Sequence, residues 1–124
     1  METLSVGMYC RYNNFQNKIK IAKIKGIQKA DEVFQYDYID FDNDDGELET
    51  NIIKASYNIV DILEVGDYVN ENIVLYKDTG IAHNQNLIVC IGRDEERHIY
   101  DETCIKSIVT HEQMEQMSYK VDDI

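Results

Sequence analysis

Glu64-Val65-Gly66-Asp67-Tyr68-Val69 repeats the Val-Gly-x-Tyr of Ser5-Val6-Gly7-Met8-Tyr9-Cys10 at an offset of 59 residues. A weaker echo follows each copy, Ile52-Ile53-Lys54-Ala55-Ser56 and then Cys104-Ile105-Lys106-Ser107-Ile108, offset by 52. A tight Val-Gly turn opening a strand, with an Ile-Lys strand closing the unit, occurs twice. The pattern describes a duplicated small β unit. The expected fold is mainly β: tandem SH3-like small β-barrel units with a short C-terminal helix. The first unit is expected over residues 1–63 and the second over 64–124. Whether the two are separate or share one core stays open.

A length of 124 residues allows one domain, or two very small ones on a common core. The 44% hydrophobic content is that of a folded chain. Proline and tryptophan are absent, and the nine tyrosines favour strands. Every apolar run is too short to span a membrane. Nothing at the start reads as a basic-then-apolar leader, so the cytoplasm is the expected compartment. Cys10, Cys90 and Cys104 are odd in number, far apart and without a C-x-x-C, which points to three reduced, partly buried thiols. The net charge of −12 repels phosphate backbones, so direct nucleic-acid binding is disfavoured. The same charge attracts a protein that itself binds nucleic acid through a basic groove.

Outward from the two turns, Met8–Tyr12 reads as a strand and the asparagine-rich Tyr12–Asn17 as a loop. Ile19 and Ile21 alternate in one phase and Ile24 in the other, which predicts a bulge or bend near Ala22. Val33–Phe41 reads as a strand with apolar groups on both faces. Nine acids lie from Asp31 to Glu49, directly after a segment containing Arg11 and five lysines. Asp40-Phe41-Asp42-Asn43-Asp44-Asp45-Gly46 fails as a calcium loop, because Phe41 and Ile52 fall where acidic ligands are needed. It reads instead as a hairpin with an Asp-Gly turn. A helical or 3₁₀ turn is expected over Ile59–Leu63, capped by Ser56 or Asn58. Turns are predicted at Asn70–Asn72 and Lys77–Gly80, and Leu87–Ile91 is predicted to be a buried central strand. Thr110-His111-Glu112-Gln113 reads as a capping box opening a short helix with Met114 and Met117 on one face. Ser118–Val121 is expected to return as a strand or extended tail.

The candidate chemistry is sparse. His83, His98 and His111 stand on separate elements without metal-binding spacing, and His111-Glu112 lacks the second histidine of a metalloprotease helix. The glycines are isolated, and no serine sits in a strand-turn-helix elbow. These features predict a non-enzymatic protein with no catalytic residues, metal or cofactor. A binding surface is better supported: Phe34, Tyr36 and Tyr38 are anchor-type residues, and Asp37, Asp40, Asp42, Asp44, Asp45 and Glu47 would steer a basic partner. An acidic solvated hairpin whose aromatics serve the core stands beside that reading. A seam pocket in which Arg93, Arg97, Asn84 and Asn86 meet a small anion is a separate option.

Four stretches carry a resemblance: Val6–Arg11, Ile53–Asp61, Glu64–Asn70 and Ile105–Gln113. Together they resemble a family of small uncharacterised accessory proteins encoded by phages, prophages and mobile elements of low-GC Gram-positive bacteria. The similarity runs over most of the chain and is weakest at the acidic hairpin. The family implies no activity or binding residues, but it does imply an accessory phage setting in which small acidic proteins, anti-CRISPR proteins among them, act in counter-defence. The expected function is therefore inhibition of a host defence protein. The chain would cover its basic nucleic-acid-binding surface, partly by acidic mimicry, in the cytoplasm of the infected bacterium. A sponge for a nucleotide immune signal and a phage structural or assembly protein are the alternatives, and homo-oligomerisation stays open.

Overall fold

A computed structural model describes residues 3–78 and 86–117. The protein is mainly β, with two five-stranded antiparallel sheets and one short C-terminal helix. The strands are β1 (Tyr9–Asn13), β2 (Ile19–Gln28), β3 (Tyr38–Phe41), β4 (Gly46–Leu48), β5 (Ile52–Ser56), β6 (Tyr68–Val69), β7 (Asn72–Asp78), β8 (Leu87–Ile91), β9 (Arg97–Tyr100) and β10 (Ile108–Val109); the helix α1 is His111–Met117. The sheets run β4-β3-β2-β1-β5 and β9-β8-β7-β6-β10, the same order in both. Among the described residues no helix is long and apolar enough to cross a membrane.

The Val-Gly turns are built alike. Gly7 and Gly66 have φ of +97° and +93°, which a side chain would strain. Gly7 N–H donates to Ile24 O and Gly66 N–H to Val74 O, each at 2.9 Å. Met8 O accepts from Ile24 N, and Asp67 O from Val74 N, each at 2.8 Å. One residue beyond Ile24 and Val74, each long strand breaks register: β2 between Ile24 and Gly26, β7 between Val74 and Tyr76. A 3₁₀ turn precedes each closing strand, Glu49–Asn51 before β5 and Glu102–Cys104 ahead of β10.

Several sequence expectations are corrected. The bulge lies at Lys25, beyond Ala22. The phase change at Ala22 arises because the two faces of β2 enter different cores: Ala22 and Ile24 pack with Met8, Cys10, Tyr12, Ile39, Phe41 and Ile52, whereas Ile21 packs against Val60, Leu63, Val69, Val74, Ile88 and Cys90. The strand expected from Val33 begins only at Tyr38. Asp31 accepts the amides of Val33 and Phe34, and Asp37 accepts that of Ala30, each at 2.8 Å, so side chains capture the backbone groups a strand would need. In the β3–β4 hairpin, Asp44 takes the positive φ and Gly46 already belongs to β4. Gly46 matters for another reason: a Cβ there would meet the Tyr38 hydroxyl and ring, so a side chain would displace Tyr38.

Other elements form as the residues predict. Asn58 caps the 3₁₀ turn Ile59–Ile62 by accepting from Val60 N–H at 3.0 Å. Asn70 and Glu71 both take positive φ in the β6–β7 turn. The capping box is reciprocal: Gln113 N–H donates to Thr110 Oγ1 at 3.1 Å, and Thr110 N–H to Gln113 Oε1 at 3.0 Å. The turn expected over Lys77–Gly80 does not begin at Lys77, because Lys77 and Asp78 complete β7 by pairing with Ile88 and Leu87. Thr79, Gly80, His83, Asn84, Gln85, the Met117 side chain and the tail from Ser118 lie outside the described residues. Cys10 and Cys90 are buried, and burial pushes their thiols up to about 12 and about 11. Cys104 is exposed rather than partly buried, because it ends the surface 3₁₀ turn.

The matched turns make a matched prediction. Gly7→Ala and Gly66→Ala should each destabilise the protein by about 1–2 kcal/mol, because both sites have room for a methyl group but not for its backbone angle. Thermal melts check this; an unchanged Tm for either variant would show that its turn relaxes.

Candidate functional site

Two regions concentrate side chains that sequence and packing leave for function. The first is the loop between β2 and β3. Asp31 and Asp37 hold its backbone, and their amide donors keep both carboxyls below the usual range: Phe34 and Val33 N–H for Asp31, Ala30 N–H then Lys29 for Asp37. The Asp31 N–H···O=C Phe34 bond of 2.8 Å closes the turn and turns its apolar residues outward. Phe34, Tyr36 and Tyr38 are 59%, 47% and 40% exposed. With Val33, Leu48 and Gln28 they line an open pocket of about 490 Å³. The structure thus brings the three predicted aromatics together, with Asp37 in the same loop.

The remaining predicted acids lie elsewhere. Asp42, Asp44 and Asp45 occupy the β3–β4 tip, at the far end of β3 from the Tyr38 backbone. Lysines of the first segment meet them: Lys20 reaches Asp45 and Lys25 reaches Asp44, each at 3.4 Å, and Lys29 reaches Asp37 at 3.3 Å. Asp42 accepts Lys23 N–H at 3.1 Å, and Asp40 is half-buried on β3 beside Gly26. The Tyr12 hydroxyl donates to Asp45 at 2.7 Å. Glu47 is 6% exposed and accepts from Asn51 at 2.9 Å, so it serves the interior. The charge contrast along the sequence becomes, in space, a set of neighbours across β2 and β3.

The second region is the seam between the sheets, which sequence reasoning missed. Arg11 is 0% exposed. Its guanidinium binds Asp67 with both terminal nitrogens, at 2.7 and 3.0 Å, and also donates to Ile62 O at 3.3 Å and to Glu112. Arg11 Nε lies 3.2 Å from Glu64 Oε2, off the line of its N–H. Asp67 is equally buried and accepts two amides besides, Glu64 N–H at 2.8 Å and His111 N–H at 2.9 Å. His111 Nε2 lies 3.1 Å from Oε1 of both Glu64 and Glu112. Burial by itself would lower the Arg11 pKa, but Asp67, Glu112 and Glu64 outweigh it and keep the group charged. Burial would raise the Glu64 carboxyl, yet His111, Arg11 and Lys54 hold it below the ordinary range.

One signal pointed there: Arg11 is the single charge within Tyr9-Cys10-Arg11-Tyr12. The anion-pocket residues are not gathered at this seam. Arg93 and Arg97 belong to the β8–β9 hairpin, while Asn86 donates to Asp61 at 3.1 Å.

Removing one partner of a buried ion pair leaves the other uncompensated. Arg11→Met should therefore cost about 3–5 kcal/mol, a Tm fall on the order of 10 °C or more. Adding Asp67→Asn to Arg11→Met should recover part of that loss; no recovery in the melts would mean the two residues act separately. Because the Glu64 carboxyl sits below its ordinary value of 4.5, its contribution is full above that pH and is lost as pH falls through the lower folded value. The Tm gap between the wild type and Glu64→Gln should be largest above pH 4.5 and shrink below it; a gap independent of pH would refute the assignment. No protein-family model, curated protein or solved structure matches the chain.

Proposed function

We propose that this protein is a non-enzymatic binding module, a tandem of two SH3-like units, whose Phe34–Tyr36–Tyr38 pocket seats an apolar anchor of a basic protein partner. The observation that carries the reading is the group of exposed aromatic and aliphatic side chains around one pocket, on a loop whose conformation is fixed by its own carboxylates. Side chains of this kind, exposed together, are what interfaces bury at their centres. Charge selects the partner: nine acids lie from Asp31 to Glu49 in a chain of net charge −12, so a basic surface is attracted and an acidic one repelled. The identical strand order of the two sheets and their matched turns support the tandem architecture.

In the accessory phage setting that the resemblance implies, the partner is a host defence protein and the surface covered is its nucleic-acid groove. Asp42 and Asp44 at the hairpin tip then act as outlying charges, and the aromatic pocket supplies most of the affinity.

The test is capture of a basic nucleic-acid-binding protein from lysate of a Gram-positive host carrying defence systems, followed by affinity measurement with the purified pair. Phe34→Ala with Tyr36→Ala should weaken binding by roughly 30-fold or more, as hot-spot losses do. Replacing Asp42 and Asp44 by Asn should mainly slow association and flatten the salt dependence. Full affinity in the aromatic double variant would overturn the proposal, as would capture of acidic proteins only.

A further inference from the structure

We propose that Glu64, His111 and Glu112 form a binding site for one divalent transition-metal ion of the zinc class, fastening α1 to the start of the second sheet. The proposal stands independently of the partner-binding reading. Glu64 comes from the turn before β6, and His111 and Glu112 are the first two residues of α1. One donor atom from each lies within 4.8 Å of the others. His111 Nε2 is 3.1 Å from a carboxylate oxygen on either side. Ligands bonded to a zinc-class ion at about 2.0–2.1 Å stand roughly 3.0–3.4 Å apart, so the two His111–carboxylate separations already match a coordination shell and the third pair lies within 4.8 Å.

His111 Nε2 meets Glu64 Oε1 in a hydrogen bond, and Glu112 Oε1 accepts from Arg11; a bound ion would replace the imidazole proton and draw on all three donors. Arg11 backs the site from the buried side. It is fully buried, binds Glu112, and points Nε near the second oxygen of Glu64 without a well-directed hydrogen bond. Outer partners of this kind orient carboxylate ligands. Among the groups in contact, Glu64, Glu112 and Asp67 face Arg11 and Lys54, three negative charges against two positive. The site therefore carries net negative charge when the imidazole is neutral. The three side chains are 31%, 36% and 27% exposed, so an ion can enter and water can complete its shell. An imidazole with two carboxylates suits zinc, cobalt or nickel and discriminates against magnesium and calcium, which take oxygen ligands.

The test uses the full chain with Cys104→Ser, because that exposed thiol would also take zinc. After chelator treatment, ZnCl₂, CoCl₂ and MgCl₂ are titrated separately by calorimetry, with thermal melts in parallel. Zinc and cobalt should bind one ion per chain and raise the Tm, and magnesium should do neither. His111→Gln should weaken zinc binding at least tenfold while keeping the metal-free Tm close to that of the parent. Glu112→Gln should weaken it similarly. Absence of zinc binding would overturn the site, as would equal binding in the parent and His111→Gln.

Discussion

The Arg11–Asp67 pair is the constraint on which the arrangement of the two sheets depends. Both side chains are fully buried, and neither can be left alone in an apolar interior. Arg11 comes from the second strand to the edge of one sheet, and Asp67 from the turn that opens the other. Their bidentate contact fixes separation and rotation together. Asp67 then passes that constraint on, because it also holds the amide of Glu64 and the first amide of α1. One carboxylate thereby ties the first sheet, the second Val-Gly turn and the helix.

Packing reinforces what the ion pair aligns. β2 gives one face to each core, and the 3₁₀ turn Ile59–Ile62 with its successor Leu63 sends Val60 and Leu63 into the second core although they precede the second Val-Gly turn. Thr110 adds a link from the helix start to Ile19 O of β2 at 3.1 Å. The boundary suggested by the repeat, at residues 63 and 64, therefore marks a change in sheet and not a gap between cores.

Local patterns made much of the fold readable. Val-Gly-x-Tyr, the Asn58 cap and the Thr110–Gln113 box each specify backbone geometry within a few residues, and each formed where the residues indicated. The loop before β3 was harder to read. Phe34, Tyr36 and Tyr38 alternate as a strand would, and only the Asp31 and Asp37 side chains, competing for backbone amides, reveal the loop. The same competition made the aromatics legible as a group while concealing that they surround a pocket. The seam was hidden because its members, Arg11, Glu64, Asp67, His111 and Glu112, are distant in sequence and meet only through topology. The lone arginine in an apolar strand was the trace it left.

Two similar sheets in one chain invite strand exchange during folding, with the second copy pairing where the first belongs. The turns themselves cannot prevent it, since their backbone hydrogen bonds are the same. The side chains do. Met8, buried in the first core, corresponds to Asp67 at the seam, and Arg11 corresponds to Asn70, whose side chain instead accepts the amides of Lys106 and Ser107. An exchanged copy would place a carboxylate in the apolar core and leave the arginine facing a thioether, a penalty of several kcal/mol. The same divergence that binds the sheets together thus distinguishes the two halves of the chain.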